Sequence, residues 1–453
     1  MTPQELLARV ERDGVDLVQL EMVDPNGISR GIALAREHLP RAMERGINFS
    51  VTTLAVDLDS HITSPSLGVQ AGDFWAVADP ASYVPLPYLE RTGHLFADLR
   101  DVDGQPWPGC ARERLRQQDA LVRRELGQVT LGFEQEGFLV TRREGRPAWT
   151  HDSHFFSLDI LSAEQPFLRD LFAALRAMGI EPEKVRAENE HGQIELNIRY
   201  GEPLPTVEQH WRFKQAFRRI ARQHGLIGTF MPKPFPTAQG SGLHLHVGLH
   251  AADGRDLFYD PSDPNGLELS ERGRAFLGGL LAHTPALLAV GSPSINSYKR
   301  LLPGTWAPAH HGYAMGNRSV LVRVVESRPR APGGPTAKRL ELRSPDGTSN
   351  PYYLAIAVLA AGLDGVRRRL DPGAPLTGHD TAELSSEERA RLGARFLPRT
   401  LAEALDALEA DDVVREALGP ILSDAFLAAK RSEVASYQAS VSEWEYAHYL
   451  EHF

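Results

Sequence analysis

The sequence predicts an α+β protein made of a small strand-rich N-terminal unit followed by a larger mixed α/β unit. Three observations carry that prediction. Between Leu17 and about Arg100, short β-rich runs (LVQLEMV, ISRGIAL, FWAVAD, HLFADL) alternate with Gly, Pro and Asp punctuation. From Ala111 onward the units lengthen, and helical periodicity takes turns with strand periodicity. Between the two regimes, DVDGQPWPGC (Asp101 to Cys110) crowds a DG pair and two prolines into one short stretch, as a hairpin tip or linker does. A boundary near Pro108 divides the chain into residues 1–107 and 108–453.

Taken in order, MTPQELLARVERDG opens as an amphipathic helix rather than a signal peptide. One clear helix, around Ala35 to Glu44, interrupts the N-terminal strands. The second unit reads as helix Ala111 to Leu126, strand Val129 to Val140, helix Pro166 to Met178, strand Gln193 to Arg199, helix Thr206 to His224 and strand Gly242 to Leu249. Helices near Ser270 to His283, Pro351 to Arg369 and Ala402 to Ala410 follow, with helical runs on to the C-terminus. Asn296 to Ser319, NSYKRLLPGTWAPAHHGYAMGNRS, has neither period and is expected to be a loop. No repeat or low-complexity tract is present.

A chain of 453 residues with 42% hydrophobic and 24% charged side chains has the composition of a folded globular protein with a large core. Its net charge of −10 and the absence of any basic cluster beyond Arg218-Arg219 and Arg367 to Arg369 argue against a nucleic-acid partner. The single cysteine, Cys110, excludes an intramolecular disulfide and a multi-cysteine metal site. No run of apolar residues reaches membrane-helix length. The expected location is cytoplasmic.

The chemistry is concentrated in strands that carry charge where a core would take Val or Ile. In VTLGFEQEGFLV, Glu134 and Glu136 lie two apart and so share a face. Side-by-side carboxylates repel unless a cation separates them. An isolated ExE is more often a solvated edge strand, but three further segments repeat the pattern: Glu188, Glu190 and Glu195 around a Gly-Gln turn, His244 with His246 in GSGLHLHVGL, and Glu341 with Arg343 in RLELRSPDG. Glu residues with one or two His and no Cys make an oxygen-rich set suited to Mg2+ or Mn2+. Arg300, Arg318, Arg323 and Arg343 lie in or just beyond the Asn296 loop, and Arg is suited to bidentate carboxylate and phosphate contact. For any one of them a surface salt bridge is the default reading. No GxxxxGK[ST], GxGxxG or GxSxG is present, so a P-loop, a dinucleotide fold and a serine hydrolase lose support.

In this order the segments GFEQEGF, ENEHGQIEL, FMPKPF, GSGLHLHVGL, NSYKRLLPG, GNRSVLVRV and LELRSPDGTSNPYYLAIAVLAAGLDG resemble the motifs of the glutamine synthetase family. The resemblance runs from about residue 15 to the C-terminus. It implies an N-terminal β-grasp domain and a catalytic domain whose curved antiparallel sheet lines the active site. It further implies homo-oligomers of hexameric rings, two rings forming a dodecamer, with each site at a subunit junction. The implied reaction uses ATP, L-glutamate and an amine, with two or three Mg2+ or Mn2+ per site. By position, Glu136, Glu188 and Glu195 would hold one metal ion, and Glu134, His244 and Glu341 another. Arg300 would bind the glutamate carboxylate, and Arg318 and Arg343 would neutralise the phosphoryl group. Arg323, His246 and Lys233 would face the nucleotide, while Gln239, Gly240, Arg300, Arg343 and Ser50 would border the substrates.

Two departures from the family pattern bear on the nucleophile. Ammonium-using members carry PGxEAP, whose Glu closes the site and accepts a proton; here that position is Trp306. The second ammonium ligand, an Asp from a neighbouring subunit, aligns with Ser50. Ammonium has no apolar surface and is captured by carboxylates, whereas Trp306 offers a cation–π face worth roughly 0.5–2 kcal/mol and no proton acceptor. The expectation is a γ-glutamyl ligase for an organic mono- or polyamine, with Trp306 in the catalytic set and His310 or His311 the nearest bases by sequence. Ordinary glutamine synthetase activity on ammonium, and a non-catalytic assembly protein, are the alternatives. Lesser departures are Gln239 for Asn, Gly248 for Ser, Thr336 for a phosphate-binding Lys, and HDTAEL at His379 to Leu384, which lacks the tyrosine of adenylylation.

Overall fold

The computed structural model describes residues 1–151, 154–326 and 337–453. Its N-terminal part is a six-stranded sheet of β1 (Leu17–Val23), β2 (Ser29–Ala35), β3 (Ile47–Ser50), β4 (Asp73–Ala78), β5 (Val84–Pro85) and β6 (Thr92–Arg100). The spatial order is β2-β1-β6-β4-β3, with β5 also on β6; β1 and β6 run parallel, as a β-grasp sheet requires, and the other pairs antiparallel. Helix Pro3–Arg12 starts from a capping box between Thr2 and Glu5 and buries Leu6 and Val10. The helix expected from Ala35 to Glu44 starts later. Ala35 ends β2, a single 3-10 turn covers Arg36–His38, and the α-helix is Leu39–Glu44. Pro40 explains the delay, because a residue without an N–H fits only the first helical turn.

The larger part is a nine-stranded sheet that curls into a half-barrel. Its strands are β7 (Gln128–Arg143), β8 (Arg146–Trp149), β9 (Pro182–Ala187), β10 (Gln193–Ile198), β11 (Ile227–Thr229), β12 (Leu243–His250), β13 (Tyr313–Met315), β14 (Val322–Val325) and β15 (Arg339–Leu342). The order is β13-β14-β15-β12-β7-β10-β9, with β8 and β11 also on β7. Helices Ala111–Glu125, Pro203–Gln223, Glu271–Ala282 and Pro351–Arg368 bury their apolar faces in the cores around this sheet. Two of them approach closely where Gly279 meets Gly365; a Cβ on Gly279 would lie 2.0 Å from the Ala361 carbonyl oxygen, so only glycine fits.

The Asn296 to Ser319 segment is not wholly irregular. It opens with one helical turn, Ser297–Arg300, and contains β13, elements too short to leave a period in the sequence. Among the described residues no single helix is long and apolar enough to cross a membrane; the apolar bent pair Glu271–Ala282 and Thr284–Gly291 is largely buried in the core.

Candidate active site

Strand register assembles the charged cluster. On β7, Glu134 and Glu136 face the same way, and the neighbouring strands set His244 of β12 opposite Glu134 and Glu195 of β10 opposite Glu136. Farther out, Glu341 of β15 pairs with His246, Arg323 of β14 with Glu341, and Arg186 of β9 with Glu195. Five β-ladders therefore converge on one set of carboxylates. Glu188 joins it from the residue just beyond β9.

The contacts are close. His244 Nδ1 is 3.1 Å from Glu134 Oε1 and 3.7 Å from Glu341 Oε1, while its Nε2 is 3.8 Å from Glu136. His246 Nε2 lies 3.6 Å from Glu134 Oε2. Ligand atoms of Glu134, His246 and Glu341 all fall within 4.8 Å of one another, so His246 stands with the carboxylates that the resemblance groups with His244. Glu341 accepts from Arg323 Nη1 at 2.8 Å and from Arg343. Arg186 donates from Nε to Glu188 at 2.7 Å and from Nη2 to Glu195 at 2.5 Å, and reaches 4.0 Å from Glu134.

These surroundings set the carboxyl pKa values apart. Burial pushes Glu341 up, but the Arg343 guanidinium, with His246 and His244, overrides it and holds the group at about 2. Burial acts likewise on Glu134, and hydrogen bonds from His244 and His246 hold it far below the usual carboxylate range. For Glu195, burial and then the charge of Glu134 prevail over Arg186 and raise it to about 9; for Glu188, burial and Glu136 raise it to about 7.

The donor set fits hard divalent cations. It offers carboxylate oxygens and imidazole nitrogens only, and Glu195 Oε1 is buried without a hydrogen-bond partner among the described residues. Metal and proton compete for Glu188 and Glu195. Both have a folded-state pKa above that of an ordinary carboxylate, so their contribution to stability is complete at low pH and is lost as pH rises through about 7 and then about 9. The metal-free Tm is therefore expected to fall as buffers move from about pH 6 to about pH 9, with the stabilisation by added Mn2+ growing over the same span. A metal-free Tm that rises with pH would contradict this electrostatic account.

The cluster opens into a cavity of about 280 Å³ bordered by Glu134, Glu136, Glu188, Arg186, Arg300 and Trp306. On the other side of Glu134, a second cavity of about 280 Å³ meets His246, Tyr200, Gly248 and Arg339. Arg343 and Arg318 also border the first; Arg343 donates from Nε to the Arg318 carbonyl at 3.0 Å, and the Arg318 side chain is exposed. Arg300 is buried, and its terminal guanidinium nitrogens donate to the carbonyls of Arg343, Ser344 and Pro345. It lies across Gly240 and Gly242, where an added Cβ would come within 2.6 Å of it. Gln239 also lines the cavity; its backbone N–H donates to Glu190 at 2.8 Å.

Two predicted residues stand apart. Lys233 points its ammonium at the Ala238 carbonyl, and its own N–H donates to Asn296 Oδ1 at 2.7 Å. Ser50 ends β3, where its hydroxyl accepts from Thr52 Oγ1 at 2.9 Å, and it borders none of the cavities around the cluster within its own chain. Thr336 lies outside the described residues.

Trp306 sits at the mouth, 64% exposed, with φ 57°, a conformation that a bulky residue rarely adopts. Its ring meets Phe155 edge-on at 5.8 Å. The two histidines separate clearly. His311 Nε2 is 3.0 Å from the Leu281 carbonyl, whereas neither ring nitrogen of the buried His310 has a hydrogen-bond partner among the described residues. The sequence reading missed Arg186, Phe155 and Phe156. KVRAENE did hold a signal for the first, since Arg186 stands two residues from Glu188 and two-residue spacing along a strand shares a face. Phe156 lies beneath the Arg186 guanidinium at 5.0 Å, a contact no local pattern announces.

The description "Glutamine synthetase, catalytic domain" matches residues 108–449, and "Glutamine synthetase N-terminal domain" matches residues 2–107. A glutamine synthetase of Halobacterium salinarum is 36% identical, over 99% of this chain and 96% of its own. A glutamate–methylamine ligase of Methyloversatilis universalis is 34% identical over the whole of both chains. A solved GmaS/ADP complex superposes with a TM-score of 0.85 at 32% identity, covering 98% of this chain and 99% of that one. With both halves matched and the carboxylate-lined half-barrel in place, the chain belongs to the glutamine synthetase family.

Proposed function

We propose that the protein is an ATP-dependent ligase that joins the γ-carboxylate of L-glutamate to an organic amine through γ-glutamyl phosphate. The observation that carries the choice of amine is Trp306. It places an exposed aromatic face, and no proton acceptor, at the mouth of the cavity that holds the carboxylates. A carbon-bearing ammonium gains apolar as well as cation–π contact there; a bare ammonium ion gains only the second. The similarity to a glutamate–methylamine ligase supports the same reading.

In this reading a γ-carboxylate oxygen of glutamate attacks the terminal phosphorus of ATP and ADP departs. The amine, having lost a proton, then attacks the acyl carbon with its nitrogen lone pair, the carbon–oxygen bond breaks, phosphate departs, and a second N–H proton passes to phosphate or solvent to leave the amide. Glu134, Glu136, Glu188, Glu195, Glu341 and the His244/His246 pair would hold divalent cations, which would supply charge neutralisation for phosphoryl transfer. Arg343 and Arg318 border the first cavity and would neutralise the phosphoryl group, and Arg323, opposite Glu341 in the register that also sets His246 against it, would face the nucleotide. Arg300 acts mainly by shaping: it holds the Gly240 turn against the substrate cavity. The reading takes residues 1–107 and 108–453 as two domains of a cytoplasmic dodecamer, with Ser50 supplied across a subunit junction.

The test is ADP release with glutamate, ATP and a panel of ammonium, methylamine, ethanolamine, isopropylamine, putrescine and spermidine. An organic amine is expected to exceed ammonium in kcat/KM by about tenfold or more. Ammonium as the best substrate would favour ordinary glutamine synthetase activity, the activity named for the Halobacterium salinarum relative.

A further inference from the structure

The cavity around the carboxylates is not the largest at this end of the molecule. Trp306, Ala307 and Arg318 are a shared wall, and beyond them lies a cavity of about 560 Å³. Resting on the organic-amine reading above, we propose that this second cavity receives the body of the amine substrate. The ligand class is a linear primary amine of several carbons whose far end carries a hydrogen-bond donor, with His310 as the acceptor for that end.

The walls match such a ligand. Trp306, Ala307, Ala309 and Met315 offer apolar surface between the shared wall and the interior. His310 borders the same cavity, is only 1% exposed, and has no hydrogen-bond partner on either ring nitrogen among the described residues. A buried imidazole left in this state costs free energy unless a ligand satisfies it. Its ring is held against Phe396 at 4.5 Å, so its direction is fixed by packing. Burial, and secondarily the Arg389 charge, lowers its pKa, which leaves a neutral ring with one nitrogen free to accept. Asp380 is exposed at the rim, where it attracts an incoming cation. Short amines leave this volume unfilled and His310 unsatisfied.

Turnover is compared for methylamine, n-butylamine, 4-amino-1-butanol and putrescine in wild type, His310→Leu and Ala382→Trp. Ala382 is exposed on the cavity wall, so a large side chain there fills space without disturbing the core. In wild type, kcat/KM is expected to rise about tenfold or more from methylamine to the donor-ended four-carbon amines, with n-butylamine between. His310→Leu should bring 4-amino-1-butanol and putrescine down to n-butylamine, and keep or raise the Tm, since it removes an unsatisfied polar group. Ala382→Trp should erase the chain-length gain alone. Two outcomes overturn the proposal: methylamine equal to or better than the longer amines in wild type, or both variants lowering every amine equally. Ammonium as the preferred nucleophile would instead sink the organic-amine reading itself, which the methylamine-to-butylamine comparison does not address.

Discussion

Glu341→Ala is expected to destabilise the metal-free protein by about 3–5 kcal/mol and to lower ligase turnover by at least about a hundredfold. Glu341 is 1% exposed and accepts from two guanidinium groups, Arg323 and Arg343. Removing it strands both cations in a region from which water is largely excluded, and loss of one partner from a buried ion cluster costs far more than the cluster contributes net. The same carboxylate stands with Glu134 and His246 as a metal-binding group. The variant should therefore also lose most of the Mn2+-induced rise in Tm. Urea unfolding without metal, thermal melts with and without Mn2+, and ADP release read the three effects separately. Stability within about 1 kcal/mol of wild type would show that the two arginines find other partners, and the account of this side of the site would fail.

Arg186→Gln removes a charge of the opposite sign and should act in the opposite direction on metal. The guanidinium hydrogen-bonds Glu188 and Glu195 and approaches Glu134, so it already sits among the carboxylates that a divalent cation would bridge. Its loss leaves those groups more repulsive without metal and less contested with it. The expected result is a lower metal-free Tm, a larger Tm gain on adding Mn2+, and a tighter Mn2+ Kd by titration calorimetry. The fall in metal-free Tm with rising pH should also steepen, because the unpaired carboxyls resist ionisation further. An unchanged or weaker Mn2+ Kd would mean that Arg186 does not compete for the site.

Much of the site was legible because β-structure has a short, rigid period. Glu134 and Glu136 on one face of a strand, and His244 and His246 on another, required only the rule that residues two apart point the same way. The long helices were likewise clear; Pro351 to Arg369 was expected and Pro351–Arg368 is found, because proline starts it and a near-unbroken apolar run fills it. Cross-strand partners were not legible. Nothing in the order of residues says that β9 lies beside β10 and so brings Arg186 to Glu195. Nor does a loop reveal which of two adjacent histidines turns inward, which is why His310 and His311 were separated only by the Leu281 carbonyl and the Phe396 ring. The delayed start of the Leu39–Glu44 helix follows from proline chemistry that the apolar pattern overrode.

The two sheets are joined by buried charge as well as by packing. Glu21 of β1 accepts from Trp211 Nε1 at 2.8 Å and faces His94 at 2.5 Å. Arg112 meets Asp79 and Asp98 on one side and Glu208 on the other, and Asn350, which caps the helix Pro351–Arg368, donates to the Asp24 carbonyl at 2.8 Å. A cut near residue 107 would leave Glu21, Asp79 and Asp98 on one fragment, and Trp211, Arg112 and Asn350 on the other. Each would lose a partner that it holds in the whole chain. Both fragments would be left short of hydrogen-bond partners, so the two sheets are expected to unfold together in one cooperative transition.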